Sequence, residues 1–441
     1  MEINELRLEV QDLNQQGTTL LKAGNVEAAK EKFEQAIDID PMYMGSYKNM
    51  GTLYLLMNEY KEAKNFLKKA LLIEKNGEVY FQYGNACFMN DEPHEGLEYY
   101  NLALSAGFDS DEMFFFMGMA YQHMNDEKMA LRYVQKAIAK NPSRADYKVK
   151  KIELLIQMFE LEEAEKAVDE LLLSDPELYD GYHMKTTLLH QQKKFDKAAE
   201  FAKTAVDRFP EDADLYLDYA RSVALTENYE KAKKLLIHAE QLKYYEDAKL
   251  EFLVLQAEVE AELGNMDSAI HVCEKCIALE SEDQFNESVR FMIMNLYILQ
   301  EKYEEALKYA KEVVDKNNIG SVYFAALYYR AFCLKKLEKA EEATIAYKEA
   351  IKLYRLATLK NPNAFDAYLY RIMSLRDIAE YEEALNLLDF MENLNGDIAE
   401  IYTIRADIYK LTNQSALANE ELKKAFKLKP ELKEVFNVEE K

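Results

Sequence analysis

Cys273 and Cys276 are separated by two residues, with His271 close by. That is the spacing with which paired thiolates grip zinc or exchange disulfides. A four-ligand zinc site needs a second such pair. The chain has only four cysteines, and the other two, Cys87 and Cys333, stand alone. His183 and His190 are seven residues apart, which on a helix puts them on one face but about 10.5 Å apart, too far to share one ion. There is no glycine-rich phosphate loop, no nucleophile elbow, and no non-repetitive stretch long enough to hold an appended catalytic domain. The expectation is therefore no catalytic residue, no metal, no cofactor and no enzyme activity.

The elements that carry these residues follow a period. Six of the seven prolines lie on one grid: Pro142, Pro176 and Pro210 are 34 residues apart, Pro362 and Pro430 are 68 apart, and Pro41 falls one residue short of three periods before Pro142. Twelve positions before each grid point stands a small residue: Ala29, Ala63, Gly96, Ala130, Ala164, Ala198, Ala232, Ala269, Ala306, Ala343, Ala384 and Ala418. A fixed period of this length means stacked copies of one supersecondary unit. Within residues 111–144, Phe114, Met117, Gly118 and Tyr121 mark one face of a first helix, Asn125-Asp126 a turn whose side chain caps the next helix, and Ala130, Val134 and Ala137 the buried face of that second helix. Pro142 then ends it. Cys273 and Cys276 occupy positions where other copies carry Val, Leu or Ala, so core packing is their expected use.

At 49% hydrophobic residues with few Gly and Pro, the chain is expected to be folded and helical. Its formal charge of −25 argues against non-specific attachment to nucleic acid or to anionic membranes. No apolar run approaches the roughly 18 residues of a membrane span. The opening Met-Glu-Ile-Asn-Glu-Leu-Arg is not expected to act as a signal peptide, and sparse cysteines point to a reducing cytoplasm.

The repeat resembles the tetratricopeptide (TPR) unit, with an aromatic residue at position 4, small residues at 8 and 20, an aromatic at 11, Ala at 27 and Pro at 32. Position 4 is Tyr47, Tyr80, Phe114, Tyr182, Tyr216, Tyr368 and Tyr402; position 8 is Gly17, Gly51, Gly84 and Gly118 in the first four repeats. Twelve repeats begin at 10, 44, 77, 111, 145, 179, 213, 250, 287, 324, 365 and 399. The resemblance implies an all-α TPR α-solenoid, a right-handed superhelix of antiparallel helix hairpins. Residues 1–9 are expected to start an extended first helix, 10–246 to form repeats one to seven, 247–432 repeats eight to twelve, and 433–441 a short capping tail. Three extra residues precede each of repeats eight, nine and ten, which should lengthen helix A, and repeat ten has seven more before Pro362. The register break near Asp247 leaves open two sub-arrays or one continuous superhelix.

The family lines its groove with helix A positions 2, 5, 6, 9, 12 and 13. Carried over, these give Phe81, Gln82, Asn85, Phe88, Met89, Phe115, Phe116, Met119 and His123 in repeats three and four, and Tyr328, Tyr329 and Phe332 in repeat ten. Such apolar side chains either pack between neighbouring A helices or form a groove for an apolar peptide segment, with Asn85 bonding its backbone. Arg330, Arg371 and Arg405, all at position 7, can pair with a partner's carboxylates or make ion pairs between repeats. The leading functional expectation is a cytoplasmic protein–protein interaction scaffold that binds peptide segments of one or more partner proteins. The alternative is a cytoplasmic receptor for a short signalling peptide. The second reading is disfavoured because its relatives carry an N-terminal effector module, for which nine residues leave no room.

Overall fold

The computed structural model describes residues 2–242, 245–246, 249–279, 286–396 and 398–435, and among these it is helical without strands. It divides into two compact units, Met1–Pro210 and Glu211–Lys441. The first contains α1 (Glu2–Lys22), α2 (Val26–Ile39), α3 (Met44–Leu56), α4 (Tyr60–Ile73), α5 (Gly77–Met89), α6 (Pro93–Ser105), α7 (Asp111–His123), α8 (Glu127–Lys140), α9 (Ala145–Gln157), α10 (Leu161–Ser174), α11 (Tyr179–Gln191) and α12 (Phe195–Arg208). The second contains α13 (Ala213–Ala224), α14 (Tyr229–Ala239), α15 (Lys249–Glu262), α16 (Met266–Ala278), α17 (Glu287–Leu299), α18 (Tyr303–Lys316), α19 (Ser321–Lys336), α20 (Ala340–Lys360), α21 (Phe365–Asp377), α22 (Tyr381–Asn395), α23 (Ala399–Leu411), α24 (Ser415–Leu428) and the short α25 (Leu432–Val435). Odd-numbered helices up to α23 are the A helices of the twelve repeats, and the even-numbered ones are their B helices. The fold is the all-α TPR solenoid that the resemblance implied.

Each B helix closes on its A helix through small residues. The eleven alanines at position 20 are at most 3% exposed. At position 8 the demand is stricter. A Cβ added to Gly17 would lie 2.4 Å from the Phe33 ring, one on Gly51 2.4 Å from Leu67, and one on Gly84 2.5 Å from Tyr100. These contacts all fall on position 24 of the same repeat. In two repeats a larger residue at position 8 meets alanine at position 24, Thr186 with Ala202 and Met294 with Ala310, whereas Ile152 with Val168 and Ile372 with Leu388 keep bulk at both. Where the pairing is small against large, the two side chains share one close-packed volume. Bulk at position 20 has no such relief. Ala164→Phe is expected to cost about 1–3 kcal/mol by overpacking and to lower the thermal midpoint, whereas Glu163→Gln on the exposed face leaves it unchanged; equal midpoints would contradict the register.

The turn between A and B is the same in all twelve repeats. Position 15 has positive φ each time, from Gly24 (80°) and Asn58 (60°) to Phe159 (58°), Ala379 (64°) and Asn413 (59°). The N–H of position 16 then bonds the carbonyl of position 11, as in Glu59 to Tyr54 (2.9 Å), Glu160 to Leu155 (2.9 Å) and Lys302 to Tyr297 (2.9 Å). This six-residue closure with a left-handed residue is the Schellman motif. In repeat four, Asn125 takes the left-handed place and Asp126 caps the following helix, its Oδ1 accepting from the N–H of Met129 at 3.1 Å.

The irregular repeats differ in part from expectation. Repeat ten turns its three extra residues into helix, α19 having 16 residues, whereas α17 of repeat nine has the ordinary 13. In repeat eight the described part of α15 starts at Lys249, and the residues just before it lie outside the described ones. Asp247, where the register breaks, lies outside the described residues. The seven extra residues of repeat ten do enter its B helix: α20 has 21 residues against 14 for α18. Two whole turns keep one face inward, so Ala343, Tyr347, Ala350, Tyr354 and Thr358 form one buried stripe.

Candidate partner-binding surfaces

In the first unit, α5 and α7 bring Phe81, Gln82, Asn85, Phe88, Phe115, Phe116, Met119 and His123 to their A-helix face. Their rings form a connected series. Phe81 lies 6.3 Å from Phe116, Phe116 is 6.2 Å from both Phe88 and Phe115, Phe88 is 6.4 Å from the His123 ring, and Phe115 stacks on Tyr147 at 4.6 Å. The members are not equally available. Phe81 is 7% exposed, stacked on Phe108 at 5.3 Å and packed near Tyr100, so it serves the core. Phe88, Phe115, Phe116 and Met119 are half-buried, and His123 is exposed.

Two amides sit among these rings. Asn85 uses Oδ1 to accept the Tyr100 hydroxyl at 2.8 Å, which fixes the side chain and leaves its amide N–H groups as donors. The Gln82 Oε1 is buried with no hydrogen-bond partner. A buried acceptor left unpaired costs about 1–3 kcal/mol. At the rim, His123 Nε2 lies 3.0 Å from Asp91 Oδ1.

In the second unit Tyr328 was expected to face a partner, but it is 2% exposed. Its hydroxyl donates to Asp377 Oδ2 at 2.9 Å, and the Tyr347 hydroxyl donates to the same oxygen at 3.0 Å. Burial, then the Asp377 charge, pushes both phenols well above their usual range. Tyr329 and Phe332 remain half-buried, with rings 6.2 Å apart. Phe291, Tyr370 and Met373, which the sequence reading passed over, pack around the same cluster as partly buried side chains. Phe291 is 6.4 Å from Tyr329, and Tyr370 is 5.9 Å from Tyr328. They stand at helix A positions 5, 6 and 9 of repeats nine and eleven, so the rule that found Phe332 could have found them.

The arginine column resolves into ion pairs, chiefly within a repeat. Arg330 bonds Glu349 at 3.0 Å and Arg371 bonds Glu383, in each case from helix A to helix B of one hairpin. Only Arg405 also reaches the preceding repeat, through Asp389 (2.9 Å) and Glu392 (2.6 Å), beside Glu421 (3.0 Å) of its own.

All four cysteines are buried and none is in a disulfide. Burial pushes Cys87, Cys273 and Cys333 up to about 12, so none is a ready thiolate at neutral pH. Cys87, Glu92 and Glu95 gather their ligand atoms within 4.8 Å, but Lys64 already bonds both carboxylates and supplies the cation.

Paired helices stacked in a fixed register, with aromatic side chains concentrated on their A-helix faces, define a protein-interaction scaffold. The chain belongs to the tetratricopeptide-repeat family. Family models match residues 20–108 and 399–432 as tetratricopeptide repeats and residues 179–392 as Iml2/tetratricopeptide repeat protein 39. Proteins of this family bind protein partners and are typically non-catalytic. The mouse mitochondrial import receptor subunit TOM70 is 22% identical over 282 residues, which cover 59% of this chain and 44% of that protein. The chain thus spans less than half the length of this curated relative. Among solved structures, the APC/C hetero-tetramer Cut9–Hcn1 is similar over 97% of this chain and 93% of that one (14% identity, TM-score 0.42), and PilF of Pseudomonas aeruginosa over 50% and 99% (20%, 0.42). Among the described residues no helix is long and apolar enough to cross a membrane.

Proposed function

We propose that the A-helix face of repeats three and four holds an extended, apolar segment of a partner protein, and that the chain acts by holding partners rather than by catalysis. One observation carries this reading: the half-buried rings of Phe88, Phe115 and Phe116 form a connected series on the A-helix face that also carries the amides of Gln82 and Asn85. An extended peptide brings apolar side chains and backbone polar groups to such a face; the Asn85 amide offers a donor to a peptide carbonyl, and the Gln82 side chain, whose Oε1 has no partner inside, can turn outward to accept a peptide N–H. Phe88, Phe115, Phe116 and Met119 supply the anchor contacts. Tyr329, Phe332 and Tyr370 form a second, separate surface of the same chemistry. Four buried cysteines outside any disulfide and the acidic charge support a reducing, cytoplasmic setting.

Affinity capture from the native cell with mass spectrometry would supply a partner, and titration calorimetry the test. Truncating a central aromatic anchor commonly costs 2 kcal/mol or more, roughly a thirtyfold loss of affinity. Phe116→Ala is expected to weaken binding by that order, and Gln82→Leu by less, while both keep the native circular dichroism. Tyr329→Ala is the comparison: if it alone weakens binding, the partner uses the second unit, and if none of the three does, the A-helix reading is wrong.

A further inference from the structure

The departures of repeat ten from the 34-residue grid build something. The lengthened α19 and the two added turns of α20, together with the loops at 317–320 and 361–364, enclose a cavity of about 690 Å³. That is within the range of sites that hold a small ligand or a few side chains. Tyr323 and Phe324 form its buried floor, Leu353 and Leu356 one wall, and Ile319 its rim. Leu356 is 56% exposed and Ile319 68%. These side chains lie away from the helix A positions that carry the aromatic surfaces, so the proposal goes beyond the function above and does not rest on it.

The charge on the part of α20 that walls the cavity reverses that of the molecule. Beyond Glu349, which is held by Arg330, α20 carries Lys352, Arg355 and Lys360 and no acid, in a chain of net charge −25. Among the described residues, these three cations make no ion pair. Lys352, Leu356 and Lys360 follow one another at i, i+4 and i+8, one exposed row along the cavity wall. Lys360 itself lines the cavity. The one carboxylate in the lining, Asp366, accepts the Ser321 hydroxyl. An apolar pocket edged by uncompensated cations fits a ligand with the opposite arrangement.

We propose that this cavity seats one large apolar side chain of an acidic peptide segment, whose flanking carboxylates pair with Lys360 and Lys352. Such a site selects partners by charge sign, in a molecule whose surroundings otherwise repel acidic chains.

Dye-labelled pentapeptides test it by fluorescence polarisation on the full-length chain, with Phe, Leu or Ala at the centre and Glu or Lys as flanks. The Glu-flanked Phe and Leu peptides are expected to bind, with affinity falling as salt rises, and the Ala and Lys-flanked ones to bind at least tenfold more weakly. Leu356→Asp is expected to abolish the preference for a large central residue, and Lys352→Glu with Lys360→Glu to invert the preference for flanks. All three positions are exposed, so native circular dichroism and melting serve as controls. A peptide bound instead on the aromatic surfaces would respond to Phe116→Ala or Tyr329→Ala and ignore the charge reversal. The proposal is overturned if no Glu-flanked peptide binds at millimolar concentration, if bound peptides are indifferent to the α20 variants, or if Leu356→Asp abolishes self-association instead, which would give the cavity to a second copy.

Discussion

Arg405→Ala is expected to destabilise the protein by about 3 kcal/mol, the lower end of the cost of stripping the partner from a buried charge, because of its three carboxylates Glu421 alone is buried. Arg405 is 5% exposed, and its guanidinium gathers Asp389, Glu392 and Glu421 from α22 and α24 onto α23. Without it, Glu421, 7% exposed, and its neighbours face one another with Lys424 as the remaining nearby cation. Because stability in a repeat array is nearest-neighbour, the loss should fall on the last two repeats and give an early unfolding step in urea. The pH dependence has a definite sign. Burial pushes Glu392 up, but its bonds from Arg405 and Tyr402 outweigh this and hold it below the ordinary 4.5. A depressed carboxylate gives stability that is present above its unfolded pKa and lost as pH falls through the folded one. The native protein therefore weakens on acidification below about pH 4.5, while the variant, already without the pairing, weakens less. The difference between them should narrow from pH 7 to pH 4. A loss under 1 kcal/mol at pH 7 would mean the cluster is solvated and inconsequential.

Gly51→Met and Leu67→Ala are each expected to be costly alone and milder together. The first drives a side chain into Leu67, whose Cγ lies 2.4 Å from where the new Cβ must go, at about 1–3 kcal/mol. The second empties a fully buried position at about 2–5 kcal/mol. Combined, they recreate in repeat two the pairing that repeat nine has in Met294 and Ala310, both in one core cluster. A double-mutant cycle by denaturant unfolding should return a favourable coupling of roughly 1–3 kcal/mol. Strict additivity would show that positions 8 and 24 do not share one volume.

That compensation marks what the sequence made legible. Position 20 could be read directly, because a residue wedged between two helices admits only Ala or Gly, and eleven alanines and a glycine say so. Nine of the twelve helix starts followed from it: α3, α5, α7, α9, α11, α13, α17, α21 and α23 begin at the residues named from the period. The groove was legible only in part. Periodicity places a side chain on a face, but it does not say how deeply neighbours cover that face. Phe81 and Tyr328 share position 5, yet a loop ring, Phe108, claims the first, and a carboxylate 49 residues away, Asp377, claims the hydroxyl of the second. The cavity of repeat ten was invisible for another reason. The insertions could be counted, but the hollow depends on how two lengthened helices and two loops meet.

The A–B turn was hidden too, since position 15 holds Gly, Asn, Asp, Phe, Lys, Glu and Ala in turn. Main-chain bonds set its left-handed backbone whatever the side chain, at a cost of about 1 kcal/mol for a residue such as Ala or Phe relative to Gly. Ten of the twelve turns bear a residue other than glycine. The array therefore sits below the stability its own backbone permits, by small increments spread evenly along its length and lying outside both the hairpin cores and the aromatic faces. Its melting behaviour can drift or be tuned one joint at a time, independently of what it binds.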